Sequence, residues 1–276
     1  RNNPRAKRED LYKFILGDLS SAEKYLKDVA FVYSAPSLAA VYGLYARAYL
    51  EMGYWKDGGD QEAFKNAYDY ADKAIAASGC TPLTQSQWED PATGFNTGTS
   101  NNAWIWGLLV SAEQTGNMTT FTSHMSGECV WGYGLRYTHP SASNLFYGKI
   151  REGDFRRHSW YNTDEAEEYA YKLAGNAETQ AYFKETAARY PNIGIKFRPV
   201  LGEVENYTVG GPADHPMMRV EEMEFIKMEA KAHSDWSAAA ELLNNFMNNN
   251  RMIEGAEKYD CKQKIEVLPE ESRVLG

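Results

Sequence analysis

Apolar side chains recur at helical spacing near both ends of the chain. Residues 9–28 carry an apolar stripe that predicts an amphipathic helix. The positions in that stripe are Leu11, Phe14, Ile15, Leu19, Ala22 and Leu26. Residues 219–233 and 236–251 show the same period, with alanines at the expected contact positions, and predict two helices packed as a hairpin.

Residues 39–79 predict a helical hairpin of the tetratricopeptide kind. In the first arm Tyr45, Ala46 and Gly53 hold positions at which such repeats use those residue types, and in the second arm small residues recur at i, i+4 and i+7. Those small residues are Ala67, Ala71 and Ala74. The turn at residues 54–62 is longer than a minimal repeat needs. Repeats of this kind mostly present binding surfaces, which favours recognition over catalysis.

The middle of the chain, residues 81–163, lacks a helical period and is rich in aromatic residues. A short strand is expected at residues 103–111 and a helix at residues 142–150. Long irregular segments inside compact domains are commonly functional. We therefore expect this insertion to form the binding face.

The remainder completes one mainly α domain spanning residues 1–276. Polar helices are expected at residues 164–190, broken near Gly175, and a brief strand at residues 194–198. The expected parts are residues 9–80 with the first hairpin, 81–163 with the irregular insertion, 164–215 with polar helices and a strand, and 216–276 with the second hairpin and a tail.

Composition narrows the function classes. With 29 basic and 38 acidic residues the net charge is −9, which makes nucleic acid and anionic lipid poor partners. The three cysteines and five histidines show no metal-ligand spacing, so we expect no metal and no cofactor.

The pairs Glu221/Glu222 and Glu167/Glu168 would suit a glycosidase only if two carboxylates faced one cleft. Adjacent helical residues diverge, so we expect solvated faces and no catalytic residue.

The aromatic residues of the insertion are the candidate ligand contacts. The set is Trp88, Trp131, Tyr133, Trp104 and Trp106. Trp88 stands among polar residues and is the preferred surface candidate, whereas Trp131 and Tyr133 have glycine neighbours that would let a ligand approach. Of Trp104 and Trp106, we expect one ring to face the core and the other to face outward.

The order of four stretches resembles the SusD/RagB family of surface glycan-binding lipoproteins. The stretches are residues 15–22 with Asp18-Leu19, the hairpin at 39–79, residues 145–157 with Asp154-Phe155-Arg156-Arg157, and residues 218–230, which end in Met228-Glu229-Ala230. The likeness covers nearly the whole chain. The sequence shows neither the family's N-terminal lipid-bearing cysteine nor its closing segment, so we expect it to be a fragment.

The resemblance implies non-catalytic capture of an oligosaccharide or polysaccharide at the cell surface. It also implies delivery to a SusC-like TonB-dependent transporter in the outer membrane, with membrane attachment only through an N-terminal lipid absent from this chain. Two alternatives stay open on the residues alone. One is a helical-repeat scaffold that binds a protein partner in a groove, and the other is a glycoside hydrolase.

Overall fold

The structure is a computed structural model that describes residues 5–100, 102–114 and 119–261. The helices are α1 (Arg8–Leu26), α2 (Leu38–Gly53), α3 (Gln61–Ser78), α4 (Gln85–Glu89), α5 (Phe121–Met125), α6 (Asn144–Tyr147), α7 (Ala166–Tyr169), α8 (Ala177–Arg189), α9 (Tyr207–Gly210), α10 (Val220–Ala232) and α11 (Trp236–Asn250). The strands are β1 (Trp104–Leu108), β2 (Trp160–Tyr161), β3 (Ile193–Gly194) and β4 (His215–Arg219). The mainly α prediction is confirmed.

Helices α2 and α3 form the predicted first hairpin. The Ser37 hydroxyl accepts a hydrogen bond from the Ala40 N–H at 3.2 Å and caps α2, and the Asp60 carboxylate caps α3 in the same way. Gly79 ends α3 with φ of 63°, in the left-handed region that glycine adopts without strain. The alanines predicted to lie between the arms are fully buried: Ala46, Ala67, Ala71 and Ala74.

Helix α1 packs on α2 through part of its predicted stripe. Leu19 is buried against Val41 and Tyr45 of α2. Phe14 is 66% exposed, and Leu11 in the first turn is also largely exposed, so their expected core positions are wrong. Phe14 precedes Leu19 by five residues, which turns its side chain about 140° away from the packed side of the helix.

Helices α10 and α11 form the predicted second hairpin, and α10 also packs against α2 and α3. Phe225, Leu243 and Phe246 form the core between α10 and α11. Asp235 caps α11 by accepting from the Ala238 N–H at 3.0 Å. Helix α10 of the second hairpin therefore joins the two hairpins by packing against the first.

The middle segment is tied to this frame by two small antiparallel sheets. Strand β1 pairs with β4, with Trp104 opposite Arg219, and β2 pairs with β3. The strand expected at residues 194–198 is only Ile193–Gly194, and Arg198 beyond it is buried and pairs with Glu128 at 2.9 Å. The helix expected at residues 142–150 shortens to α6.

Candidate functional site

The structure places Trp88 in the core and not at the surface. Its ring is 5% exposed, and its indole N–H donates to the Ser159 hydroxyl at 2.9 Å. The ring packs edge-on against Phe95 and Phe155. Helix α4 is only five residues long and turns Trp88 inward, so the surface expectation for this residue is wrong.

Trp104 and Trp106 contact the same hydrophobic core. Trp104 is fully buried and Trp106 is half-buried against the same cluster. Side chains two residues apart in a strand project to the same side, so the expectation that one ring would face outward does not hold. Ile105 between them is also buried, because β1 is covered on both sides.

Trp131 and Tyr133 have different environments. Trp131 is 6% exposed, and its indole N–H donates to the Glu203 carbonyl at 3.3 Å. Tyr133 is 36% exposed and remains a surface candidate. The neighbouring glycines serve packing and do not open a path for a ligand, because a Cβ at Gly134 would lie 2.1 Å from the Ser126 carbonyl oxygen.

Four exposed rings form what we call the aromatic surface. Its members are Phe121, His124, Tyr133 and Tyr137. The His124 and Tyr133 ring centroids are 5.1 Å apart, and those of Tyr133 and Tyr137 are 5.4 Å apart. Tyr137 is 63% exposed. Phe121 precedes His124 by three residues on α5, which places both on one helix face.

Two short helical elements hold these rings in position. Thr120 caps α5 by accepting from the Ser123 N–H at 2.9 Å, and the Ser123 hydroxyl accepts from the Tyr133 N–H at 3.1 Å. A π-helical turn, Gly134–Thr138, then carries Tyr137, and π-turns are frequent at functional sites. The sequence analysis missed Tyr137, and its i, i+4 spacing from Tyr133 is the signal that could have paired the two.

Polar groups lie among the exposed rings. The His124 Nδ1 atom lies 3.0 Å from the Thr120 carbonyl oxygen, which can only accept. Nδ1 therefore carries the proton, and Nε2 of the neutral ring is an acceptor. The Tyr133 and Tyr137 hydroxyls can donate or accept. The surface thus combines apolar ring faces with groups that suit hydroxyl-bearing ligands.

The predicted carboxylate pairs do not form a hydrolytic site. Glu221 is buried and bridges Arg219 at 2.5 Å and Arg251 at 3.0 Å. Burial alone would raise the pKa of Glu221, but the two guanidinium charges outweigh it and lower the pKa. Glu222 instead pairs with Arg47 at 2.6 Å. The expected solvated position of Glu221 is therefore wrong.

The described residues contain no group of three or more histidine, cysteine, aspartate or glutamate side chains placed to hold a metal ion. Among the same residues, every helix is too short or too polar to cross a membrane.

No family model and no curated protein matches the sequence. Solved structures match it with confidence. A SusD-like carbohydrate-binding protein from Bacteroides vulgatus superposes with a TM-score of 0.61 at 18% identity, covering 99% of this chain and 49% of its own. A SusD superfamily protein from Bacteroides thetaiotaomicron gives 0.61 at 15% identity, covering 96% and 52%. A structure solved with a xylogluco-oligosaccharide gives 0.63 at 14% identity, covering 100% and 56%.

The chain has the SusD-like fold. This confirms the fold that the sequence resemblance implies, although the chain spans only about half the length of these SusD-like structures. The stretches that carried the resemblance lie on α1, on the α2–α3 hairpin, around α6 and its following turn, and on β4 with α10. They are therefore mostly framework, and the aromatic surface lies on the segment between them.

Proposed function

We propose that this SusD-like chain binds an oligosaccharide or polysaccharide through the aromatic surface and performs no catalysis. The observation that carries the proposal is the run of adjoining exposed rings at His124, Tyr133 and Tyr137. Pyranose rings have apolar C–H faces that stack on aromatic rings, while their hydroxyls pair with phenol and imidazole groups. Contacts of this kind need neither a metal nor an activated nucleophile.

The known structures with this fold support the same ligand class. One is described as a carbohydrate-binding protein and another was solved with a xylogluco-oligosaccharide. The sequence identity of those structures to this chain is low. The surface residues of this chain therefore determine which glycan it binds. Of the residues expected from the sequence, Tyr133 contacts ligand in this proposal, whereas Trp88, Trp104 and Trp131 are buried, Trp106 is half-buried against the core, and all four are structural.

The cellular role proposed here follows from the resemblance. The full-length protein is lipid-anchored at the outer-membrane surface and passes captured glycan to a SusC-like TonB-dependent transporter for nutrient uptake. A single exposed aromatic surface binds weakly, because association must offset the ordering of a flexible glycan. Anchoring many copies at the cell surface would raise the effective affinity.

A second candidate is binding of a protein partner by the helical frame. Helix α1 exposes Leu11, Phe14 and Tyr25, with Tyr25 84% exposed. These side chains give α1 an apolar character on its outer side, as a docking helix would have. Tyr25→Ala therefore serves both as a test of this candidate and as a control for glycan binding.

Affinity electrophoresis against a panel of polysaccharides tests the proposal. We expect the parent chain to be retarded by at least one glycan, and Tyr137→Ala to reduce the affinity about tenfold, on the order of 1.4 kcal/mol. Tyr25→Ala, on α1, should match the parent. Unchanged mobility of the parent in every gel would contradict the proposal that the chain binds a glycan. Product release in a turnover assay would contradict the non-catalytic role.

A further inference from the structure

A pair of stacked rings lies at the surface beside the aromatic surface. The ring of His139 stacks on the ring of Tyr190, with centroids 3.8 Å apart and planes within 6° of parallel. Tyr190 is 43% exposed, and His139 is partly exposed. The His139–Tyr190 stack is therefore open to a ligand and lies outside the core.

The π-helical turn connects this stack to the proposed glycan contacts. The His139 N–H donates to the Gly134 carbonyl at 2.8 Å, and the Thr138 hydroxyl donates to the Tyr133 carbonyl at 3.2 Å. His139 follows Tyr137 by two residues, so their Cα atoms are at most about 7 Å apart. The stack therefore adjoins the aromatic surface.

Strand β3 supports both sets of rings. A Cβ on Gly194 would lie 3.3 Å from the Pro140 carbonyl oxygen and 3.9 Å from that of Met125, the last residue of α5. Pro140 follows His139 of the stack, and Met125 follows His124 of the aromatic surface. One residue of β3 thus contacts the chain next to each, which fixes the stack relative to the aromatic surface.

The backbone around the stack is held in an uncommon conformation. His139 and Asn192 are not glycines, yet both lie in the left-handed region, with φ of 45° and 57°. The Asn192 amide donates to the side-chain oxygen of Asn144 at 2.8 Å, which fixes its position. Such residues persist where the surrounding structure determines them, and they cluster at ligand sites.

We propose that the His139–Tyr190 stack is a second sugar subsite, which takes a further pyranose unit of the glycan bound at Tyr133 and Tyr137. This inference rests on the proposed glycan-binding function. The exposed ring of Tyr190 supplies an apolar surface, and the imidazole and phenol groups can pair with sugar hydroxyls. The site therefore selects a chain of several sugar units over a disaccharide.

Titration calorimetry with oligosaccharides of increasing length tests the subsite. The probes are the disaccharide, the tetrasaccharide and the hexasaccharide cut from a polysaccharide that retards the parent chain. We expect Tyr190→Ala to bind the hexasaccharide about tenfold more weakly than the parent does, and to bind the disaccharide as the parent does. Tyr182→Ala is the matched control, because Tyr182 is a similarly exposed tyrosine two turns earlier on α8, and it should match the parent at every length.

Two results with Tyr190→Ala would overturn the subsite. One is parental affinity for the hexasaccharide, and the other is an equal loss of affinity for all three probes, which would show a general structural effect. Tyr137→Ala separates this failure from failure of the proposed function. Weaker binding of Tyr137→Ala at every length would retain the aromatic surface as the binding site, whereas parental binding at every length would contradict it. A parent chain that no polysaccharide retards would overturn both.

Discussion

At the scale of single residues, Glu221 is a buried carboxylate that lies between two buried arginines. Its carboxylate bridges two buried guanidinium groups and also accepts from the Leu83 N–H at 3.2 Å. The rings of Phe95 and Phe246 lie over the two guanidinium groups at 4.2 Å and 4.9 Å from their carbons. The carboxylate is therefore the counter-charge for two cations that water does not reach.

Glu221→Gln should destabilise the fold by about 3–5 kcal/mol, because it leaves buried guanidinium charge uncompensated. Urea unfolding measures the change. The matched control is Glu222→Gln, whose partly exposed pair with Arg47 should contribute about 0–1 kcal/mol. Similar losses in both variants would contradict the role assigned to Glu221.

His233 should make stability depend on pH. Its ring stacks on Phe64 with centroids 3.7 Å apart, and its Nε2 atom lies 3.1 Å from the hydroxyl of Tyr54, which donates to Glu229. Burial lowers the pKa of His233 below 6.5, so the folded state prefers the neutral ring. Its contribution should be full above pH 6.5 and decline as the pH falls through the folded pKa.

Urea unfolding at a series of pH values checks this expectation. The parent should lose stability on acidification below about pH 6.5, and His233→Gln should show a smaller loss over the same range. His139→Gln, which leaves the Phe64 stack intact, should keep the parental slope. If the stability of His233→Gln depended on pH as steeply as that of the parent, the pH dependence would come from other groups and the role of His233 would be contradicted.

The burial of single side chains also limits how much of the site could be predicted from the sequence. Polar neighbours suggested that Trp88 was exposed, but one of them, Glu89, is itself drawn inward by His158. Exposure of Tyr137 depends on a π-helical turn, and its i, i+4 spacing from Tyr133 does not by itself show which side of that turn faces solvent. Whether an aromatic residue in an irregular segment faces solvent is decided by its tertiary neighbours, which lie far away in the sequence.

At the scale of elements, the long helices were predictable because local chemistry marks their ends. Ser37, Asp60 and Gly79 bound the first hairpin by side-chain caps and a left-handed glycine. The short helices are capped as well, but a single turn is too short to show a helical period in the sequence. Strand β3 exists because β2 lies beside it, and α6 is a single turn capped by Ser143.

The π-helical turn should depend on the absence of a side chain at Gly134. A Cβ there would lie 2.1 Å from a backbone oxygen, so Gly134→Ala must displace the turn, at a cost of about 1–3 kcal/mol, and weaken glycan binding. Gly17→Ala is the matched control, because no atom lies within 4 Å of its Cβ position in α1. It should stabilise the helix by about 0.5–1 kcal/mol.

Chemical denaturation and affinity electrophoresis of these two variants give the comparison. The expected result is opposite signs in stability, with glycan retardation weakened only in Gly134→Ala. Retardation of Gly134→Ala equal to that of the parent would show that the turn does not position the binding rings.

At the scale of the whole molecule, the α2–α3 and α10–α11 hairpins pack together and support a middle segment in which Trp88, Trp104 and Trp131 are buried and Tyr133 and Tyr137 are exposed. The frame was predictable from helical periods and small residues, and it has the SusD-like fold over about half the length of the solved structures. The division into four parts stays a prediction, since the core runs continuously from α2 through β1 to α10.

The most direct measurement is titration calorimetry of a glycan that retards the parent chain, with Tyr133→Ala/Tyr137→Ala compared with Tyr25→Ala. Loss of both surface rings should weaken binding about 100-fold, on the order of 2.7 kcal/mol, while Tyr25→Ala retains the parental Kd. A parental Kd in the double variant would contradict the assignment of the aromatic surface as the glycan-binding site.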